Sequence, residues 1–269
     1  TAWEDIRLFD WSRQFHRLGL MPREVMLSAP WPSPVSPFPV AERFRCCRLS
    51  ESGDGIWARA LAHFVLTRHE RKIWSQLTGP ERRRKEWLLG RLAAKDAVRL
   101  LLKERHQVEL CPADIEIVTD EHGRPGVTQE FMERSGCRIS LSIAHAGGVA
   151  VGLAGDTAAR LGVGIDVEPM GRNHAGVERV ALTVDEQALL VVVPPSEKDE
   201  WVLRLWCAKE AVAKAIGRGM VTGPLGLVVQ HLDVETGQVT VGLTGELARQ
   251  LPASAGNLFT AHTGREDSF

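Results

Sequence analysis

The alternation of apolar and polar positions changes period several times along the chain. Residues 1 to about 45 carry no regular period, and the stretch from Pro30 to Pro39 holds five prolines, which predicts an extended connector rather than a helix. From about residue 56 the spacing turns helical, with Trp57, Leu61, Phe64 and Val65 recurring on one side. Thr78-Gly79-Pro80 breaks the chain, and a long helix is predicted over about Glu81 to Arg105, with Leu89, Ala93, Ala97 and Leu100 as its apolar stripe. Pro112 opens a short strand that closes at the turn Asp120 to Gly123. Two strand-like runs follow, Cys137 to Ile143 and Val149 to Ala154, joined by the tight turn Ala144-His145-Ala146-Gly147-Gly148. A third run, Leu161 to Val167, also reads as a strand. Thr183 and Glu186 have capping-box spacing and open a helix to about Val192, ended by Pro194-Pro195. Trp201 to Ile216 is the second strongly helical stretch, stopped by Gly217 and Gly219. Leu227 to Leu232 and Gln238 to Leu243 form a hairpin pattern, and after Pro252 no period remains.

This order gives four segments: an N-terminal extension and Pro-rich connector over 1–50, a first helix-plus-sheet half over 51–158, a second over 159–251, and a loose tail over 252–269. Strands and helices are grouped, not strictly alternating, so the expected fold class is α+β, not a parallel doubly wound sheet. No exact internal repeat is visible by eye.

Composition narrows the function classes. The 269 residues hold 33 Lys+Arg against 34 Asp+Glu, for a formal net charge of -1, which argues against a nucleic-acid-binding polycation. No apolar run is long enough to span a membrane, and the opening TAWEDIRLFDW is too acidic for a secretory signal. The five cysteines, Cys46, Cys47, Cys111, Cys137 and Cys207, are irregularly spaced without a CxxC, as expected of buried thiols in a cytoplasmic protein. The chain does not begin with Met, which reads as processing or as excision from a longer protein.

Three acids could carry chemistry. Asp166 and Glu168 stand at i and i+2 of the predicted strand, so both would leave one face of it, and Glu210 lies in the second long helix. Such oxygen ligands suit a hard divalent cation, although an acidic strand edge explains the first pair equally well. Trp206, Glu210 and Lys214 are spaced by four and share a helix face, as they also would in an ordinary amphipathic helix with a Glu–Lys pair worth about 0.2–0.5 kcal/mol. Arg84, Arg91, Lys95 and Arg99 fall on a common side of the first long helix, a solvated surface or an anion site. Arg124 and Pro125 follow a glycine on a stiff turn, and His145 sits in the glycine-bearing turn. No GxGxxG or Walker loop is present, so the common dinucleotide and P-loop readings fail.

Taken together, GVGIDVE at 162–168 and WCAKEAVAKAIGRG at 206–219 resemble the surfactin-type 4′-phosphopantetheinyl transferases, with support from WLLGRLAAKDAV, from Gly123-Arg124-Pro125 and from SIAHAGGVAVG at 142–152. The resemblance covers roughly residues 56–250. It implies a pseudo-dimer of two α+β halves that works as a monomer, with coenzyme A between the halves. It implies transfer of the 4′-phosphopantetheine arm of coenzyme A to a serine of an apo acyl or peptidyl carrier protein, releasing 3′,5′-ADP, in polyketide or fatty-acid biosynthesis. It implies Mg²⁺, with Mn²⁺ as a substitute, held by Asp166, Glu168 and Glu210. Glu210, Lys214 and His145 would be catalytic, and Arg91, Lys95, Arg124, Pro125, His145, Asp166 and Lys214 would contact coenzyme A. Many relatives carry a serine where this chain has Ala144. The Pro-rich lead further reads as belonging to a domain of a larger synthase-like protein. Two rivals are a coenzyme-A-binding or docking module that has lost catalysis, and a nucleic-acid-binding domain using the basic helix face, which the balanced charge disfavours.

Overall fold

A computed structural model describes residues 44–50, 55–156, 162–171, 174–217, 224–250, 257–265 and 269 of the chain. The Pro-rich stretch and Gly219 lie outside the described residues. The chain divides into two compact units at about residue 157, each of the α+β class.

In the first unit, β1 (Phe44–Ser50) is followed by α1 (Gly55–Val65), α2 (Arg68–Gln76) and the long α3 (Glu81–His106). A small hairpin of β2 (Ile117–Thr119) and β3 (Pro125–Val127), the helix α4 (Gln129–Ser135), and the hairpin of β4 (Ile139–Ala146) and β5 (Val149–Asp156) complete it. The main sheet is antiparallel in the order β1-β5-β4, with Phe44 opposite Gly155 and Ile139 opposite Asp156. The strand β1 lies inside the segment expected to be a connector, and it ends where β5 begins, Ser50 facing Val149.

The helix α3 is buried on several sides between Leu88 and Leu102, not along a single stripe. One side packs Leu88, Leu92 and Ala93 against Ala62, Val65 and Leu66. Another packs Ala97, Val98 and Leu101 against Ile115, Ile117 and Leu141. Small residues set the spacing to the sheet: a Cβ on Gly152 would stand 2.4 Å from the Ala93 carbonyl carbon and the Ala94 nitrogen. Backbone meets backbone there, which only glycine permits.

The second unit runs from an extended segment at 162–168 through α5 (His174–Ala181), α6 (Val184–Leu189), a 3₁₀ turn at Leu190–Val192, and α7 (Lys198–Ile216). Then come β6 (Leu227–Leu232), β7 (Gln238–Leu243), α8 (Gly245–Gln250) and β8 (Leu258–His262), forming an antiparallel sheet in the order β6-β7-β8. Trp201, Leu205, Val212 and Ala213 of α7 meet Val229, Val239 and Val241 of this sheet in one core.

Two expectations are corrected here. The tail is not wholly loose, because β8 pairs with β7 and its alternate residues Phe259 and Ala261 pack on the core. The run at 162–168 forms no strand: it lies extended along α7 instead, with Gly162 N donating to Ala215 O at 3.0 Å. Asp166 and Glu168 therefore share no sheet face, yet both still act through their charges on Glu210 and Cys207.

The two units also share a repeat that short sequence identity hides. In the first, Thr67 caps α2, and Glu70 accepts from Thr67 N at 2.9 Å and from Ile117 N at 3.2 Å. Lys95 donates to Glu70 and to Val65 O. In the second, Thr183 caps α6, and Glu186 accepts from Thr183 N and Val229 N, both at 2.7 Å. Lys209 donates to Glu186 and to Ala181 O. The flanking residues match as well, Ala94-Lys95-Asp96-Ala97-Val98 against Ala208-Lys209-Glu210-Ala211-Val212.

Candidate active site

The second unit gathers Asp166, Glu210 and Lys214. Glu210 and Lys214 stand one helical turn apart on α7, both half-buried. The extended segment is held against that helix through Gly164, where a Cβ would fall 1.7 Å from Ala211 O. The contact fixes Asp166 two residues later: Lys214 Nζ donates to Asp166 Oδ1 at 2.7 Å and to Ile165 O at 3.1 Å. The Asp166 side chain is 10% exposed, and its other oxygen, Oδ2, is buried without a hydrogen-bond partner among the described residues.

Electrostatics differ among these acids. Burial raises the Glu210 carboxyl above the usual carboxylate range, the charge of Asp166 raises it further, Lys214 opposes, and Glu168 adds a small rise. The protonated form of Glu210 is favoured accordingly. Cys207 is the free, partly buried thiol expected of it, and it lies one turn before Glu210 on α7. Burial pushes its thiol well above the ordinary value, and the charges of Asp166 and Glu168 reinforce this, so it stays a neutral S–H. The three-residue offset from Glu210 was the signal available for it.

For a metal, the donor chemistry fits a hard cation, since the acids offer carboxylate oxygens and, among the described residues, Asp166 Oδ2 is buried without a hydrogen-bond partner. Mg²⁺ commonly takes one or two carboxylates and leaves its other positions to water and substrate phosphate. Among the described residues no three His, Cys, Asp or Glu side chains stand close enough to form a metal cage. Asp166, Glu168 and Glu210 are electrostatic neighbours, not a closed ligand set.

The remaining expected residues belong to the first unit. His145 near the end of β4 has its side chain 44% exposed, with Nδ1 3.8 Å from Glu86 Oε2. Arg124 is fixed by the turn, its N–H donating to Asp120 Oδ1 at 2.9 Å and its Nη2 to Ser140 Oγ at 3.2 Å. The backbone N–H of Arg124 and, after it, that of His122 hold the Asp120 carboxyl below its ordinary value. Pro125 then starts β3.

The basic face of α3 separates into two kinds of cation. Lys95 corrects the expectation that it faces a ligand: it is 0% exposed and bonded to Glu70 and Val65 O. Arg99 is neutralised by Asp96 at 2.7 Å and donates to Leu110 O. Arg84 and Arg91 differ. Arg84 lies over Trp74 and Arg91 over Trp87, 4.6 and 4.7 Å from the ring centroids. Among the described residues, Arg84 Nε and Arg91 Nη1 are buried and find no hydrogen-bond acceptor. Burial alone disfavours the Arg91 charge, with Glu70 in partial compensation.

A family model for the 4′-phosphopantetheinyl transferase superfamily matches residues 162–256, the stretch that carries Asp166, Glu168, Glu210 and Lys214. A holo-[acyl-carrier-protein] synthase of Geobacillus kaustophilus (strain HTA426) is 37% identical over 94 residues, which cover 35% of this chain and 69% of that protein. Its counterpart in Geobacillus sp. (strain WCH70) is 35% identical over 81 residues, covering 30% of this chain and 64% of that protein, less than two thirds of its length. Among solved structures, a holo-(acyl-carrier-protein) synthase from Bacillus anthracis in complex with CoA (3′,5′-ADP) is 24% identical, with a TM-score of 0.33, covering 41% of this chain and 91% of that one. The chain belongs to the 4′-phosphopantetheinyl transferase superfamily, a class of transferases.

Proposed function

We propose that this chain transfers the 4′-phosphopantetheine arm of coenzyme A to a serine hydroxyl of an apo carrier protein, releasing 3′,5′-ADP. The observation that carries the reading is the α7 face: a carboxyl raised above its ordinary range at Glu210, one turn from an ammonium at Lys214 that is shared with the buried Asp166.

Each residue has a task in that reaction. The serine oxygen forms a bond to the β-phosphorus of coenzyme A, and the bond from that phosphorus to the bridging oxygen breaks, leaving the oxygen on 3′,5′-ADP. Glu210 accepts the proton of the serine hydroxyl, which its position and raised basicity favour. Lys214 offers a positive charge to the diphosphate where negative charge grows on the leaving oxygen. Asp166 keeps that ammonium in place through the 2.7 Å bond. Arg84 and Arg91, with their unfilled buried donors, suit the nucleotide phosphates. His145 and the turn at Arg124 and Pro125 are assigned to coenzyme A on the family resemblance. Asp166, Glu168 and Glu210 would hold Mg²⁺, which when bound supplies further neutralisation of the diphosphate.

We extend the reading in three respects. The two α+β units on one chain favour a monomer as the working form, which light scattering of the purified chain tests. The carrier belongs to polyketide or fatty-acid synthesis, and the protein acts in the cytoplasm. Among the described residues, no helix is long and apolar enough to cross a membrane. The direct test is incubation of an apo acyl carrier protein with coenzyme A, Mg²⁺ and the protein. Gain of one phosphopantetheine arm by mass supports the reading. Binding of coenzyme A without transfer assigns the chain to the inactive-module class.

A further inference from the structure

We infer that Glu186 and Lys209 are positioning residues for Glu210, a lock that fixes the rotation of α7. The inference rests on the proposed role of Glu210. Lys209 immediately precedes Glu210, and on an α-helix successive side chains are about 100° apart, so fixing one fixes the other. The Lys209 ammonium is 0% exposed and held by Glu186 Oε1 at 2.6 Å and by Ala181 O at 2.7 Å. Glu186 is 0% exposed as well and accepts from the backbone of α6's cap and of β6. The buried Glu186–Lys209 pair thereby ties α5, α6, α7 and β6 to a single arrangement. A small rotation of α7 would strand a buried ammonium, whereas apolar side chains would slide at little cost. Buried pairs of this kind are poor stabilisers compared with an apolar replacement, which leaves geometric definition as their use here.

The first unit supplies an internal comparison. Its lock has the same parts: Glu70, Lys95, the cap of α2, the start of β2 and Val65 O. The residue after its lysine is Asp96, which is 2% exposed and neutralised by Arg99 at 2.7 Å. That acid is structural. The two locks should therefore contribute alike to folding and differently to catalysis.

The test pairs Glu186→Gln with Glu70→Gln in the full chain, with kcat and both KM values measured well below each variant's Tm. Glutamine keeps the size but turns an N–H₂ towards one of three donors, so both variants should melt earlier by similar amounts. Glu186→Gln should lose at least about tenfold in kcat with KM for coenzyme A and carrier within about twofold, the signature of a lost transition-state alignment. Glu70→Gln should keep kcat within about twofold. Hydrogen exchange gives a readout besides activity: Glu186→Gln should speed exchange over 205–213 and Glu70→Gln over 91–99. If Glu186→Gln does not fold, the milder pair Thr183→Ala and Thr67→Ala is read in the same way. Unchanged kcat in Glu186→Gln, or an equal fall in Glu70→Gln, would overturn the inference. An inactive wild type would instead overturn the proposed function.

Discussion

Substituting Gly164 with Ala probes how the acid site is assembled, because Gly164 has no side chain and lies against α7 backbone two residues before Asp166. An added Cβ would lie 1.7 Å from Ala211 O, 2.7 Å from Ala211 C and 2.9 Å from Ala215 N. These are helix backbone atoms, which cannot rotate away. Ordinary contact begins at 3.4 Å, so the segment at 162–168 has to lift from α7 until that 1.7 Å separation is about doubled. Lys214 Nζ and Asp166 Oδ1 are 2.7 Å apart, and a lift of more than 1 Å breaks that bond. A misplacement of about 1 Å at reacting groups can cost roughly 10²-fold. The fold should survive, since the core that α7 shares with the β6-β7-β8 sheet is unaltered. Gly164→Ala should therefore retain most of its circular dichroism and lose about 10²-fold in kcat, read by mass spectrometry of the carrier. A folded Gly164→Ala protein with kcat within about threefold of wild type would refute the idea that this contact builds the site.

Four further outcomes are expected. Lys95→Met should leave a buried carboxylate uncompensated, costing about 3–5 kcal/mol and roughly 6–20 °C in Tm, because Lys95 serves the fold; thermal melts check it. Glu210→Gln should cut kcat by at least about 10²-fold. The raised Glu210 carboxyl favours its protonated form in the fold, so its contribution to stability is full at low pH and is lost as pH rises through the folded pKa. Glu210→Gln should accordingly raise Tm at pH 8 and have a vanishing effect near pH 4, and wild-type kcat should fall off in acid at a higher pH than an ordinary glutamate would give. Arg91→Ala should raise KM for coenzyme A more than for 3′-dephospho-coenzyme A while kcat holds, and equal effects on both would move the nucleotide phosphate elsewhere. Excess chelator should abolish transfer, and added Mg²⁺ or Mn²⁺ should restore it.

Periodicity located the elements whose burial follows their own repeat. It placed the hairpin of β6 and β7 residue for residue, and α3 and α7 to within a few residues. It failed where a partner element decides. The apolar run at 162–168 looks like a strand, yet it is extended because Gly164 lets it lie on α7, and a one-dimensional pattern cannot tell a strand neighbour from a helix. The strand β8 was invisible because only Phe259 and Ala261 pack inward over five residues. Lys95 shows the limit of charge reading. Helical spacing put it beside Arg91, and nothing local disclosed that Glu70, 25 residues earlier, waits for it in the core. The two similar halves were implied by the family resemblance, but the residues of the repeat were not legible for the same reason, since they are a capping Thr, a Glu and a distant Lys. Motif spacing, in contrast, brought Asp166, Glu210 and Lys214 together as neighbours.

The most direct measurement is the intact mass of an apo acyl carrier protein after incubation with coenzyme A, Mg²⁺ and this protein, beside the same mixture containing Glu210→Gln. The account predicts that the wild-type reaction adds one phosphopantetheine arm to the carrier serine and releases 3′,5′-ADP in equal amount, and that the variant reaction adds almost none. An unmodified carrier with the folded wild-type protein, or full modification by Glu210→Gln, would contradict it.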